Sequence, residues 1–205
     1  MTGLESQTLA QRDDRIIEFM RTRRSVPAKT MAGSDPATGP DENEIRTMIE
    51  IASRVPDHGK LAPWRFVRYA PDYCLRLGEL CEVRAVELDP GLNDDMREIE
   101  RMRFLRAPVV IGVMSRTVQH PKVPVWEQEL SAGAAAMNLL IAANALGYDA
   151  QWLTEWPAFD ESIAPALDVR PGERVAGFIH VGTRTMPKTE RDRPAPEDVY
   201  SVFEG

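Results

Sequence analysis

Apolar residues recur at helical spacing in several parts of the chain. Residues 9–22 have this pattern, and a second helix begins behind a capping signature in which Asp41 precedes Glu44 by three positions. Two charge-rich segments, 72–88 and 93–106, repeat the helical spacing. The apolar face of the second helix is formed by Ile45, Met48, Ile49, Ala52 and Val55. These patterns predict four amphipathic helices.

One further helix differs from these four because it carries almost no charge. Residues 126–148 contain no charged side chain after Glu129 and are rich in Ala, Leu and Ile. A helix that is apolar on all sides and contains many small residues packs closely against other elements. It is either a core helix of one subunit or the seam of a dimer, and the sequence favours neither. Gly147 is a candidate for the helix C-cap.

Four segments have the composition of β-strands. Their limits are residues 64–70, 107–115, 149–156 and 174–183. Residues 25–40 are expected to form a loop, and residues 157–169 a short helix with Pro157 near its start. Strands separated by long helices, without strict βαβ alternation, predict one α+β domain over residues 1–205, with a mixed central sheet flanked by helices. Residues 1–10 are expected to be flexible.

Charge and hydropathy narrow the possible partners. The net charge of −7 argues against a nucleic-acid partner, because neutralising phosphates requires a basic face. No apolar run approaches the roughly 18–20 residues that span a bilayer, and the N-terminus lacks a secretory signal, so we expect a cytoplasmic protein without a membrane partner. Two basic clusters indicate a small anionic ligand, unless they are simply solvated arginines. They are Arg21, Arg23 and Arg24, and Lys188, Arg191 and Arg193.

Common catalytic and metal-binding motifs are absent from the sequence. It contains no GxGxxG, GxxxxGK[ST], GxSxG or HExxH pattern. Cys74 and Cys81 share one helix face and are expected to be buried and reduced, whereas His120 is expected at the surface and His180 in a structural position. Any demanding chemistry would therefore come from a bound organic cofactor.

Four short segments nevertheless have a characteristic order and spacing. They are Arg23-Arg24-Ser25, Arg54-Val55-Pro56-Asp57-His58 with Pro63-Trp64, Lys122 to Glu129 leading into Ser131-Ala132-Gly133, and Gln151-Trp152-Leu153-Thr154. Together, over residues 12–193, they resemble the FMN-dependent nitroreductase family, and especially a subgroup of small bacterial NAD(P)H nitroreductases. The resemblance implies an intertwined homodimer in which residues 184–205 form an extended tail on the partner subunit.

The resemblance also implies that FMN is held by residues of both subunits. Arg23, Arg24 and Ser25 would bind its phosphate and ribityl groups, since guanidinium groups bind phosphate in a planar fork. Arg54 and His58 would approach the same FMN from the partner, with Arg54 stabilising negative charge on the reduced ring. The alternatives are a basic helix end that interacts with the helix dipole, and a simple turn after the second helix.

Later residues complete the implied FMN site. Trp152, Leu153 and Thr154 would present backbone groups along the isoalloxazine ring, although Leu153 also suits an ordinary core position in a strand. Arg191 or Arg193 would close the phosphate site, unless both are solvated charges of the tail. The sequence does not distinguish between these two arginines.

Three features depart from the pattern of the resembled family. Lys29 stands where many relatives carry an arginine shortly after the Arg-Arg-Ser segment. The stretch from Gly33 to Gly39 looks like an extra loop. Ala62 precedes Pro63-Trp64 where relatives often have Gln or Asn, which removes a polar contact to the flavin edge and leaves the redox behaviour and the acceptor open.

The activity implied by the resemblance is a ping-pong reduction. NAD(P)H would reduce FMN, and a small organic acceptor such as a nitroaromatic or a quinone would then take the electrons, without a side chain acting as general acid. The alternatives are a non-catalytic FMN-binding or sensing dimer, or a related flavin reaction such as ene reduction, dehalogenation or flavin destruction. Neither the acceptor nor the choice between NADH and NADPH can be deduced from the sequence.

Overall fold

The computed structural model describes residues 12–205. The helices are α1 Asp14–Thr22, α2 Glu42–Ala52, α3 Pro71–Leu88, α4 Asp94–Arg101, α5 Val125–Ala145 and α6 Pro196–Val199. The strands are β1 Trp64–Arg68, β2 Val109–Ser115, β3 Asp149–Leu153 and β4 Arg174–Gly182. The flexibility expected of residues 1–10 and the predicted start of the first helix at residue 9 lie outside the described residues.

The four strands form one sheet in the order β1-β2-β4-β3, which confirms the α+β class. All its pairings are antiparallel in the described part of the chain, so the expectation of a mixed sheet is corrected. The reason lies in the connection from β1 to β2. Arg97 of α4 pairs with Glu82 of α3, and Gly78 lies so close to Arg101 that a Cβ would stand 1.9 Å from its carbonyl oxygen. The two helices thus form a hairpin that returns the chain to the end of β1.

The core has two parts, one on each face of the sheet. Alternate residues of a strand point to opposite faces, and in β2 Ile111 and Val113 join α2 and α5 on one side, whereas Val110 and Met114 join α3 on the other. All but the last residue of β2 is buried, which explains its continuous apolar sequence.

Helix α5 is a core helix along one face and exposed along another. Ala132, Ala136 and Leu139 are fully buried on the side facing the sheet. Trp126 and Leu130 are 67% and 53% exposed near its start. The helix ends at Ala145 with Leu146 as its C-cap, so the predicted cap at Gly147 is one residue late. Gly147 follows the cap with φ of +95°, which suits glycine, and its N–H donates to Asn144 O at 3.1 Å. The core interpretation is confirmed for the buried side of the helix.

The helix predicted for residues 157–169 is wrong. A short 3₁₀ turn, Trp156–Ala158, is followed by irregular turns up to Asp168. Pro165 lies within this segment, where it lacks an N–H group and disturbs helical hydrogen bonding. The predicted capping box of α2 is present, since Asp41 accepts from Glu44 N–H and Glu44 accepts from Asp41 N–H.

The buried titratable groups on the sheet and α3 are structural. Cys74 and Cys81 are free thiols packed inside, as expected, and burial raises their pKa values to about 11 and about 12. His180 on β4 is 1% exposed, and burial lowers its pKa to about 4. None of the helices within residues 12–205 is long and apolar enough to cross a membrane.

Candidate functional site

The Arg23-Arg24-Ser25 segment lies at the C-terminal end of α1, next to strand β3. Arg23 is the C-cap of α1, and its N–H donates to Phe19 O. The chain then runs extended, and Val26 N–H donates to Ala150 O of β3 at 3.1 Å. Ala28 N–H donates to the side-chain oxygen of Gln151. These bonds fix the segment beside β3.

Arg23 has an unusual environment for an arginine. Its side chain is half-buried, and Nη1 is shielded from solvent without a hydrogen-bond partner in residues 12–205. Burial lowers the pKa of Arg23, and the positive charges of Arg193 and Arg24 lower it further. Buried polar groups normally have partners. An orphaned guanidinium nitrogen beside other cations therefore indicates a place for an anion.

Arg24 already holds an anionic group of this chain. Its Nε and Nη2 donate to the two carboxylate oxygens of Glu190 at 2.6 and 2.5 Å, and its Nη1 donates to the carbonyl oxygens of Arg21 and Arg23. This ion pair raises the pKa of Arg24 and lowers that of Glu190. The fork of Arg24 is thus oriented for bidentate binding of an oxyanion. The sequence analysis did not identify Glu190.

The tail reaches this cluster because a buried aspartate anchors it. Asp149, at the start of β3, is 2% exposed and pairs with Arg184 Nη1 at 3.0 Å and Lys188 Nζ at 3.1 Å. Thr185 N–H also donates to Thr30 O. Asp149 was not among the predicted site residues, although a charged residue at the start of an apolar strand is a signal for a structural ion pair.

Both candidate arginines of the tail lie near the Arg23 segment. Arg191 lines a cleft of about 260 Å³ together with Ser25, Pro27 and Lys188. Arg193 is close enough to lower the pKa of Arg23 by charge repulsion. The basic clusters that are separated by more than 160 positions in the sequence are therefore brought together by the fold.

The end of β3 adjoins the same region. Leu153 is half-buried and packs against the cluster that contains Val26. Trp152 is 36% exposed, and its indole Nε1 donates to Ala176 O at 3.1 Å. The exposed Thr154 follows, and the N–H groups of Thr154 and Glu155 donate to no acceptor within the described residues. A ligand held at Arg23 would therefore find unused backbone donors nearby.

Trp152 also forms a wall of a second cleft, between the sheet and α5. This cleft has a volume of about 280 Å³, and Gly133 and Ala176 contribute to it. The glycine at position 177 permits this arrangement, since a Cβ there would stand 1.9 Å from Trp152 Nε1. The indole of Trp152 therefore packs against Gly177 of β4 on one side and lines the cleft on the other.

Arg54 and His58, the two residues expected to approach the FMN of the partner subunit, lie in the connection between α2 and β1. The exposed Arg54 follows α2, and its carbonyl oxygen accepts from Asn138 Nδ2 of α5 at 3.0 Å. His58 Nδ1 lies 2.8 Å from Glu127 Oε2, at an apolar cleft of about 340 Å³ that Leu130 also lines. In the part of the chain described, neither side chain forms a hydrogen bond or ion pair with the arginine cluster.

The turn between Arg54 and β1 is built by Asp57. Its carboxylate accepts from Leu61 N–H at 3.0 Å and Ala62 N–H at 2.9 Å. The turn interpretation therefore holds for Asp57 and for the backbone of His58, which begins a 3₁₀ turn, while the His58 side chain pairs with Glu127. Ala62 adopts φ of +44°, and its carbonyl oxygen accepts from Arg116. The backbone of Ala62 thus helps to hold the loop.

The residues at the end of α1 fit the phosphate of a flavin mononucleotide. An unpartnered, half-buried guanidinium, a second guanidinium oriented as a fork and an exposed serine follow one another along the chain, and the serine lines a cleft together with Arg191. The unused N–H groups of Thr154 and Glu155 follow β3, the strand that also accepts a hydrogen bond from Val26 N–H. The chemistry of these groups suits a phosphate linked to a ring that accepts hydrogen bonds along its edge.

Comparisons with known proteins show which family and which solved structures the chain is similar to. Residues 35–183 match the family model described as the Nitroreductase family. A Haemophilus influenzae protein, named only provisionally as an NAD(P)H nitroreductase, is 35% identical over 179 residues, covering 86% of this chain and 91% of that protein. The solved nitroreductase-like family protein from Bacillus cereus has a TM-score of 0.72 at 18% identity and covers 100% of both chains.

A second solved structure has the same fold. It is a variant of NfnB, described as an FMN- and NADPH-dependent nitroreductase from Sphigopyxis sp. strain HMH. Its TM-score is 0.72 at 16% identity, covering 92% of this chain and 98% of NfnB. At this level of identity the likeness concerns the fold alone.

Proposed function

Because this chain belongs to the nitroreductase family, we propose that it is an FMN-dependent oxidoreductase that oxidises NAD(P)H and reduces a small organic acceptor. The observation that carries the proposal is the Arg23 guanidinium, whose shielded Nη1 has no partner in residues 12–205 and which lies beside Arg193. A phosphate dianion would satisfy Nη1 and offset the repulsion between these cations.

The phosphate end of the cofactor would be held by the residues at the end of α1. Arg23 and Arg24 would bind the phosphate oxygens, and the exposed hydroxyl of Ser25 would contact phosphate or ribityl oxygens. Arg24 would release or share Glu190 when phosphate enters its fork. Arg191 and Arg193 would close the site from the tail.

The ring end would lie along residues Trp152, Leu153 and Thr154. Bound FMN would supply the electron transfer, taking electrons from NAD(P)H and passing them to the acceptor in a ping-pong cycle. The chain itself would orient the ring through the backbone N–H groups that follow Leu153, and would exclude water with the indole of Trp152. The cleft between Trp152 and Gly133 is suited to an aromatic acceptor such as a nitroaromatic or a quinone.

The proposed active form is a homodimer. Among residues 12–205, Arg54 and His58 form no hydrogen bond or ion pair with the arginine cluster, and they would serve the FMN of the partner subunit. The first part of the tail is held on its own chain by Asp149 and Arg24, which corrects the expectation that all of residues 184–205 lie on the partner. The end of the tail would pack on that partner. This agrees with the exposure of Tyr200 and Phe203, at 70% and 92%. A cytoplasmic location stays a prediction of the sequence.

The test begins with the absorbance spectrum of the purified protein, with and without added FMN. Anaerobic addition of NADH or NADPH should then bleach the flavin bands, and a nitroaromatic or quinone should restore them. Failure to bind FMN would overturn the proposal. Bound flavin that neither donor bleaches would instead indicate a binding or sensing protein. Light scattering of the same sample should give the mass of a dimer.

A further inference from the structure

Glu155 adopts a backbone conformation that side chains rarely tolerate. Its φ and ψ are +39° and 171°. Positive φ is readily populated by glycine, whereas other residues keep it only when the surrounding structure enforces it. Glu155 directly follows Thr154, the last residue of the proposed ring-binding segment. The contacts that hold Glu155 in this conformation therefore also affect the backbone of the proposed ring-binding segment.

Two arginines hold the carboxylate of Glu155. Arg106 binds it bidentately, with Nη1–Oε1 and Nη2–Oε2 distances of 3.1 and 2.9 Å. Arg103 Nη1 lies 2.8 Å from Oε2. Burial opposes ionisation of Glu155, but the hydrogen bond from Arg106 and the charge of Arg103 outweigh it and lower the pKa of the carboxyl. Glu155 is thus held as a carboxylate.

The clamp is itself rigidly supported. Arg103 is 7% exposed, and its Nε donates to Glu100 Oε2 at 2.9 Å. The same carboxylate oxygen accepts from Trp156 Nε1 at 2.8 Å, and the Arg103 guanidinium lies 5.8 Å from the centre of the Trp156 ring. The contacts therefore run from Glu155 through Arg103 and Glu100 back to Trp156. Glu155 and Trp156 are therefore both held by side chains of the segment that leads into β2, through Arg103 and Glu100.

The peptide groups next to this clamp are unused by the protein. Within residues 12–205, neither Thr154 N–H nor Glu155 N–H donates a hydrogen bond. We propose that Glu155 is a positioning residue, whose carboxylate, held by Arg103 and Arg106, keeps Glu155 at positive φ and so directs its N–H, next to that of Thr154, towards the edge of the bound flavin. This inference rests on the proposed function.

The physical consequence is specific to the backbone. Without the clamp, a residue with a side chain would relax to negative φ, which rotates the peptide between Thr154 and Glu155 and turns its N–H away. Glycine would keep the observed φ at no steric cost. Two substitutions at one position therefore separate loss of the carboxylate from loss of the conformation.

The test compares Glu155→Ala with Glu155→Gly by titrating each apoprotein with FMN and recording the bound flavin spectrum. The alanine variant should bind FMN roughly tenfold more weakly, equivalent to about 1.4 kcal/mol, with a changed flavin spectrum. The glycine variant should bind within about threefold of the wild type, since its backbone can keep positive φ. Arg106→Gln should resemble the alanine variant. Arg101→Ala, which removes an exposed arginine paired with Glu98, is the control and should leave binding unchanged.

Equal FMN affinities for the alanine, glycine and wild-type proteins would overturn the inference. So would equal losses in both variants, because these would assign Glu155 only a charge-balancing role. If the alanine variant does not fold, unchanged FMN binding by folded Arg106→Gln would overturn it equally. Wild-type protein that does not bind FMN would refute the proposed function and this inference with it. Normal binding by wild type and Glu155→Ala alike would refute the inference alone.

Discussion

The carboxylate of Glu190 lies in the guanidinium fork of Arg24, with its two oxygens 2.6 and 2.5 Å from Nε and Nη2. One residue belongs to the tail and the other to the end of α1, so this pair joins two segments far apart in the chain. It also places a negative charge where the proposed phosphate would bind. Glu190 therefore tethers the tail, and in the proposed function it would also compete with the cofactor for Arg24.

Glu190→Gln should tighten FMN binding. The amide removes the charge that repels phosphate and competes for Arg24, and because an exposed pair contributes little to stability the gain should be modest, about threefold. Fluorescence titration of the apoprotein with FMN measures it. Glu197→Gln, an exposed change further along the tail, is the matched control. Weaker binding by Glu190→Gln would show that the tether matters more than the competition.

Arg23→Ala should separate binding from stability. The guanidinium has no partner for Nη1 in residues 12–205 and is repelled by Arg193, so its removal should leave the stability of the apoprotein unchanged or higher. FMN affinity should fall at least about tenfold, since a charge-assisted bond to phosphate is lost. Thermal unfolding with and without FMN measures both effects. Arg21→Ala, on the exposed part of the same helix, should change neither.

Arg24→Ala should also weaken FMN retention. The substitution removes the fork that is oriented for an oxyanion and releases Glu190. The measurement is the flavin-to-protein ratio after gel filtration, compared with wild type and with Arg21→Ala. Unchanged retention would argue against the proposed phosphate site at the end of α1.

Asp149→Asn should destabilise the protein and loosen the tail. The buried carboxylate holds Arg184 and Lys188, and both cations are partly exposed, so we expect a loss of about 1–2 kcal/mol rather than the larger loss for a fully buried pair. Denaturant unfolding gives the free energy, and limited proteolysis reports on the tail. Asp192→Asn, an exposed change in the same tail, is the control. Equal protease resistance of the two variants would contradict the anchoring role.

His180 should make the protein less stable as the pH falls below 6.5. Burial lowers its folded-state pKa from 6.5 to about 4, so the unfolded chain binds the proton more readily. The stabilisation is therefore fully present above pH 6.5 and declines towards pH 4, with a loss of about 2 kcal/mol between pH 7.5 and 5. His180→Gln should lack this component when free energies of unfolding are compared across that range. If the free energies of unfolding of the wild type and of His180→Gln change with pH in the same way, this prediction is wrong.

Local features could be predicted from the sequence because their causes lie within a few residues. The capping box of Asp41 and Glu44 needs only a helix start, and Gly147 needs only a residue that tolerates positive φ after a helix. The apolar, β-branched run at residues 107–115 predicted the strand β2. The basic residues at 23 and 24 indicated an anion site for the same reason, since two guanidinium groups at one helix end concentrate charge locally.

The tertiary structure decided everything that depends on distant partners. The α3–α4 hairpin made the sheet antiparallel, and Pro165 with its surroundings replaced the predicted helix after residue 157 by turns. Glu190 reaches Arg24 from a tail that Asp149 anchors, and Arg103 and Arg106 converge on Glu155, which has a positive φ. An ion pair depends on the distance between two side chains in space, and spacing along the chain does not determine that distance.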